Sequence, residues 1–195
     1  MTGLDGSLDA LRREMQQCRR CRHPMDVRPI ISLARAPRIV LVGQAPGKTE
    51  AGGGHPFAGR AGRTLFQWLA SVEIDEMVFR RRVQISAITR CYPGPSASGR
   101  GDRVPGPAER RNCSGWLDEE LRLIRPALIV PVGRLAIDAF LGSEPLDAVI
   151  GREHAVALDD GRRSIAIPLP HPSGASSWIH VANHRALLDA SLALI

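Results

Sequence analysis

Four short runs rich in isoleucine and valine, at 38–43, 83–90, 127–133 and 164–169, are each ended by glycine, proline or polar residues. Runs of this length suit buried strands. Between and around them lie stretches with apolar residues near the 3.6-residue helical spacing, at 8–17 behind Ser7 as N-cap, then 64–72, 108–124, 135–141 and 183–194. Strands that alternate with helices in this order become parallel neighbours, so the expected fold class is α/β, with a parallel sheet covered by helices on both faces. One exception is local. The segment 154–158 precedes Asp159, Asp160 and Gly161 and reads as the first arm of a hairpin into the last main strand.

A length of 195 residues suggests one domain, 1–195, and 44% apolar residues are enough to build its core. With 26 basic and 20 acidic residues, the net charge of +6 is too small to make disorder the dominant state. The longest apolar runs, such as 127–132, fall far short of the ~20 residues a membrane-crossing helix needs. No basic region leads into an apolar stretch at 1–6, so a cytoplasmic location is expected. Lys48 is the sole lysine, and the remaining positive charge is arginine, whose planar fork matches phosphate oxygens. A polyanionic partner follows as one candidate.

In a doubly wound sheet, ligands bind beyond the carboxyl ends of the strands. Three long loops fall there, at 44–63, 91–107 and 170–177, and they can converge on one crevice. The second, with Pro93, Pro95, Gly99, Gly101, Pro105 and Pro107, reads as a partly mobile, tolerated insertion.

Cys18, Cys21, Cys91 and Cys113 are the whole cysteine set. Without a secretory signal, a disulfide framework is the weaker use of them. Four thiolates suit tetrahedral zinc or an iron–sulfur cluster equally well by ligand count, and spacing does not decide. Free buried thiols are the bland alternative, at odds with a CxxC flanked by Arg19, Arg20 and Arg22. A thioredoxin-like role needs that CxxC after a strand, whereas a helix precedes it here.

The run at 43–49, GQAPGKT, is one residue short of a phosphate-binding Walker loop, and the glycines at 52–54 argue against a helix directly after it. Its other use is close approach of backbone amides to a ligand. Further along, Phe57 stands between Pro56 and Gly59 in a chain with 4% aromatics. It either offers a stacking face to a planar heterocycle or anchors its loop on the core.

GQAPG at 43–47, HPFAGRAG at 55–62, the cysteine quartet and HPSG at 171–174 resemble, as an ordered set, the uracil-DNA glycosylase superfamily. Within it the resemblance is to family 4, the iron–sulfur-containing bacterial and archaeal branch, and it runs from Cys18 to about Ser177. It implies a three-layer αβα sandwich around a four-stranded parallel sheet, in a single domain. Its N-terminal segment would be bound to a structural 4Fe-4S cluster, zinc being the alternative, through Cys18, Cys21, Cys91 and Cys113. It places the attacking water near Gln44, and Gly43, Ala45, Phe57 and Ala87 around the extruded base, with Phe57 stacking on it. His171 would donate to the base oxygen beside the glycosidic nitrogen, where negative charge develops. One such donor is worth about 2.7–4 kcal/mol, or about 10²–10³ in rate. Arg60, Arg63 and the amides of Ser173 and Gly174 would hold the flanking phosphates. The implied partner is DNA containing uracil or other deaminated bases, flipped out of the helix and bound by a monomer.

Two positions depart from the family 4 pattern. Gln44 stands where that branch carries Glu, so it can position water but cannot take its proton. Ala87 stands where the base-reading Asn falls, which predicts relaxed or shifted base choice. Family 5, also iron–sulfur, lacks the first-loop carboxylate too. Ala175 is too small for the wedge that fills the vacated stack; Trp178 either replaces it or packs on the final helix. His23, His55, His154, His180 and His184 lack a setting like that of His171, and a solvated place is expected for the last two. The readings are therefore a glycosylase, a catalytically weak DNA- or nucleotide-binding module of the same fold, and a thiol redox protein.

Overall fold

The computed structural model describes residues 3–21, 27–99, 101–173 and 178–195. Gly174 and Ala175, given roles above, lie outside the described residues, as do Arg22 and His23. Five strands, β1 (Ile39–Gly43), β2 (Val83–Ala87), β3 (Leu128–Pro131), β4 (His154–Ala157) and β5 (Arg163–Ala166), form one sheet in the order β2-β1-β3-β5-β4. Four are parallel neighbours, and β4 is antiparallel to β5. The sheet is thus mixed and five-stranded, which corrects the expected four-stranded parallel one. Its extra strand is the hairpin arm at 154–158, closed by Leu158 N–H donating to the Arg162 carbonyl at 2.8 Å. Pairing runs on past the ends of β3 and β5, with Leu169 N–H on the Pro131 carbonyl at 2.9 Å and Gly133 N–H on the Leu169 carbonyl at 2.9 Å.

The helices are α1 (Gly3–Gln16), α2 (Lys48–Ala51), α3 (Arg60–Ala70), α4 (Glu76–Arg82), α5 (Pro107–Ile124), α6 (Arg134–Leu141), α7 (Leu146–Val149) and α8 (His184–Ala193), with a 3₁₀ turn at Trp178–His180. Helix starts differ from the sequence reading, and α3 begins at Arg60, four residues before the expected 64. Ser7 does not cap α1: it lies inside the helix, with its hydroxyl on the Gly3 carbonyl at 3.1 Å. A one-turn helix, α2, does follow the GQAPG run, despite the glycines after it. The reading also missed α4, which Asp75 caps by accepting Val78 N–H at 2.9 Å and which ends on Arg80, Arg81 and Arg82. Acid at the first turn and base at the last complement the helix dipole.

Side chains alternate across the strands, so the sheet has two buried faces. Leu41, Ile85, Val130 and Val132 pack against Leu65, Phe66 and Leu69 of α3, Phe79 of α4, and Leu188 and Leu192 of α8. On the other face Val40, Val42 and Ile129 pack against Leu8 of α1, Leu117, Leu121 and Ile124 of α5, and Ala136 of α6. Among the described residues, no helix is long and apolar enough to cross a membrane.

On this second face β2 turns polar, and Gln84 and Ser86 are buried there. Glu120 of α5 meets them: Oε1 accepts Gln84 Nε2 at 2.8 Å, and Oε2 accepts Ser86 Oγ at 2.8 Å and Arg90 Nη2 at 2.6 Å. Gln84 Oε1 in turn accepts Arg12 Nη2 at 2.9 Å, which also donates to the Ala34 carbonyl at 2.8 Å. One carboxylate thereby joins α5 to β2 and to the segment leading to Cys91, and through Gln84 reaches α1. A buried charge stripped of its partner costs about 3–5 kcal/mol. Glu120→Ala is therefore expected to lower the unfolding free energy by about 3–5 kcal/mol in urea titration; a change under about 0.5 kcal/mol, typical of a surface site, contradicts a buried, ion-paired carboxylate.

Candidate active site

A cavity of about 540 Å³ opens at the carboxyl ends of the parallel strands. Gly43 ends β1, and Gln44 and Ala45 follow it; Ala87 ends β2, and His171 follows β5. Phe57, Arg60 and Ser173 also line the cavity, so eight of the residues singled out in the sequence share it. Arg63 is exposed outside this lining. A larger groove, about 1030 Å³ between α5, α6 and the β4–β5 hairpin, is lined by none of them.

Backbone pairing fixes the floor. Gly43 lies opposite Ala87 in the β1–β2 register, and the ladder continues with Ile88 N–H on the Gly43 carbonyl at 2.9 Å and Thr89 N–H on the Gln44 carbonyl at 3.2 Å. Gln44 therefore cannot drift from the end of β2. Thr89 is buried and lines the cysteine cavity described below.

His171 sits against Gly133, whose φ of 82° belongs to the left-handed region and where a Cβ would stand 2.9 Å from His171 Cδ2. Ser173 N–H donates to His171 Nδ1 at 3.1 Å, with Ser173 Oγ 2.8 Å from the same nitrogen. A nitrogen that accepts a backbone N–H carries no proton, so the ring proton is on Nε2. Burial pushes the imidazole's pKa below its ordinary value, which favours the neutral form. The ring is thus a neutral Nε2–H donor. The Ser173 amide, expected at a phosphate, is occupied by this contact.

Phe57 has a φ of 55°, strained for a bulky side chain, and its neighbours hold it there. Arg80 of α4 donates to the Pro56 carbonyl at 2.6 Å and the Phe57 carbonyl at 3.1 Å. Gly62 passes so close that a Cβ there would lie 1.8 Å from the Phe57 carbonyl oxygen. The ring edge then packs on Gly43, at 3.2 Å from a Cβ built there. Glu50 ties the two ends of this loop, Oε2 accepting Gly47 N–H at 3.1 Å and Oε1 accepting Gly59 N–H at 3.2 Å. Sequence reasoning passed over Glu50 and Arg80 and gave Gly62 no role beyond its place in the HPFAGRAG run; an acid three residues after a helix-starting glycine was the one available signal for Glu50.

The loop at 91–107 is not a loose insertion. Ser96 N–H meets the Gly101 carbonyl at 3.0 Å, Arg103 N–H meets the Gly94 carbonyl at 3.0 Å, and Pro95 bridges Asp102. This small hairpin brings Gly101, Asp102 and Arg103 to the cavity wall.

Trp178 stacks on His184 with ring centroids 4.1 Å apart and joins the cluster of Ile137, Val149 and Ile150. It packs at the final helix, as one of its two expected roles had it, and the solvated place expected of His184 gives way to this stack.

Cys18, Cys21, Cys91 and Cys113 line one small cavity beneath the site. Burial, and then the other three cysteines, push the Cys91 thiol up to about 12. Burial also raises the Cys113 thiol, against a 3.3 Å contact in which Arg90 N–H donates to its sulfur. Thr89 and Trp116 line the same cavity, and Thr89 Oγ1 and Trp116 Nε1 are buried without hydrogen-bond partners among the described residues. Donors of this kind suit the sulfurs of a cluster. No three Cys, His, Asp or Glu side chains among the described residues are gathered as ligands of a single metal ion.

A family model described as Uracil DNA glycosylase superfamily matches residues 32–190. The chain belongs to this superfamily. Among its relatives, the type-4 uracil-DNA glycosylase of Archaeoglobus fulgidus is 36% identical over 133 residues, covering 67% of this chain and 61% of that protein. The type-4 enzyme of Sulfurisphaera tokodaii is 31% identical over 191 residues, 94% of this chain and 80% of its own. A type-5 uracil-DNA glycosylase of Pyrobaculum aerophilum is 35% identical over 117 residues, covering 53% of this chain and 48% of that protein. The chain thus spans less than two thirds of the Archaeoglobus and Thermotoga maritima type-4 proteins it matches, at 61% and 65%. In this superfamily member, nitrogen-15 NMR of His171 is expected to show a neutral, Nε2-protonated ring persisting below the usual pH of 6.5; an Nδ1-protonated ring, or titration at the ordinary value, contradicts the geometry.

Proposed function

We propose that this chain excises uracil from DNA by hydrolysing its N-glycosidic bond, leaving an abasic site. The observation that carries the reading is the placement of His171, whose Nδ1 accepts the Ser173 amide in the cavity that Phe57 also lines, which leaves Nε2 as the donor. Bond cleavage leaves positive charge on the sugar and negative charge on the base. A fixed donor at the base oxygen stabilises that transition state without needing to change protonation state. Phe57 stacks on the flipped base, Gly43, Ala45 and Ala87 enclose it, and Gln44 orients the water. Arg60, at the start of α3, binds a flanking phosphate; Arg63 and Gly174 are proposed for the same role. Flipping costs a few kcal/mol, least for single-stranded or mispaired uracil.

Ala87 lines the cavity with no group to read the pairing edge of the base. Base choice is then relaxed towards other deaminated bases, because rejection of a wrong base rests on leaving polar groups unpaired. The chain acts as a monomer, with residues 1–195 as one domain. Cys18, Cys21, Cys91 and Cys113 hold a 4Fe-4S cluster, with zinc the alternative occupant; the cluster's contribution is structural cross-linking. The support for it is the shared thiol-lined cavity with its orphaned Thr89 and Trp116 donors, together with similarity to type-4 and type-5 proteins.

His171→Ala is expected to slow uracil excision about 10²–10³-fold while uracil-containing DNA still binds. Excision at the parental rate contradicts the assignment, and a parent that binds but never excises favours a binding module. For the metal site, protein purified without oxygen should be brown, with broad visible absorption that Cys91→Ser abolishes; a colourless protein containing zinc refutes the cluster.

A further inference from the structure

Two carboxylates line the cavity, those of Glu50 and Asp102, and they flank one backbone position: a Cβ built on Gly47 would lie 2.9 Å from Glu50 Oε2 and 3.1 Å from Asp102 Oδ2. Their circumstances differ. Glu50 is buried, and its two oxygens accept the Gly47 and Gly59 amides, which makes it a staple of the first loop. Asp102 is solvent-exposed on the cavity wall, carried there by the hairpin whose strands meet through the Pro95–Asp102 bridge. The left-handed φ values of 109° at Gly94 and 75° at Gly101 permit that fold. Behind it stands Tyr92, a buried phenol whose pKa is raised by burial and then by its hydrogen bond with Asp102. A protonated phenol donating to a carboxylate fixes its orientation. Arg103 does not neutralise Asp102 through a bidentate pair, because its guanidinium is already bidentate to Glu109, at 2.7 and 2.6 Å.

We propose that Asp102, oriented by Tyr92, is the proton acceptor for the attacking water, taking the part that the amide of Gln44 cannot play. The inference rests on the glycosylase reading and deepens it. Water bound between Gln44 and Asp102 attacks C1′ of the sugar. The C1′–N bond breaks, and its electron pair leaves on the base, whose oxygen His171 holds. The hydroxyl stays on C1′, and the proton passes to the Asp102 carboxylate and then to the departing base or to solvent. A positioned base of this kind contributes about 10²–10⁴ in rate. The hairpin thus supplies the site with a carboxylate in place of the one missing at position 44, from a segment more than fifty residues further along the chain.

The test uses full-length protein and a uracil-containing duplex under single-turnover conditions, with a 2′-fluorinated, cleavage-resistant uracil duplex for binding. Asp102→Asn should lose at least about 10² in excision rate while binding the fluorinated duplex as the parent does. Added formate should restore excision to Asp102→Ala, and Asp102→Glu should retain part of the activity. Asp102→Asn cleaving at the parental rate overturns the proposal. So does a loss of excision matched by a loss of binding and unrescued by formate, which assigns Asp102 to wall structure alone. If the parent itself releases no uracil, the glycosylase reading fails and takes this inference with it, an outcome distinct from an active parent with an indifferent Asp102.

Discussion

Glu120 is 2% exposed, and its carboxylate is shared among Gln84, Ser86 and Arg90. Isolating such a charge in an apolar layer is costly, and only a complete set of donors offsets the desolvation. The arrangement has one geometric consequence that matters for the site. Arg90 must lie against α5, so the chain leaving β2 is held at the angle that puts Ala87 on the cavity and Cys91 on the thiol cluster. Arg90 borders both cavities and separates them. The cysteine cavity and the candidate site thus share Arg90, whose backbone N–H also donates to the Cys113 sulfur.

Above that floor, the site gathers loops from the ends of separate strands, and each loop has its own restraint. The first is closed by Glu50, the Phe57 turn by Arg80 and Gly62, the hairpin by its own backbone pairing, and His171 by Gly133 and Ser173. Each restraint fixes a backbone or ring position before a ligand arrives. That is what electrostatic stabilisation of a departing base requires, since a donor that must reorganise during the reaction loses much of its effect.

The order of strands and helices was legible because strands buried on both faces read as apolar runs and the loops after them are long. The convergence of Gly43, Gln44, Phe57, Ala87 and His171 followed from that topology. What escaped has a common cause, partners remote in the chain. Arg80 and the Phe57 carbonyl are 23 residues apart, and Arg90 and Glu120 are 30; nothing local marks either pair. The hairpin was misread because proline and glycine are as abundant in a tight, ordered turn as in an idle insertion, and only its cross-strand bonds tell them apart. Trp178 carried two readings that its sequence neighbours could not separate, and the structure adds its stack on His184 to the packing one. The helix at Glu76–Arg82 was within reach of the sequence, through its Asp75 cap and terminal arginines.

The cavity at the strand ends is proposed to perform hydrolysis on a flipped uracil. The most direct measurement is quantitation, by mass spectrometry, of the free base and the strand product after the protein meets DNA carrying a single uracil. Free uracil and an abasic strand in equal amounts, at many turnovers or at least one per protein molecule, is the predicted result. Tight binding with the uracil still attached contradicts the account.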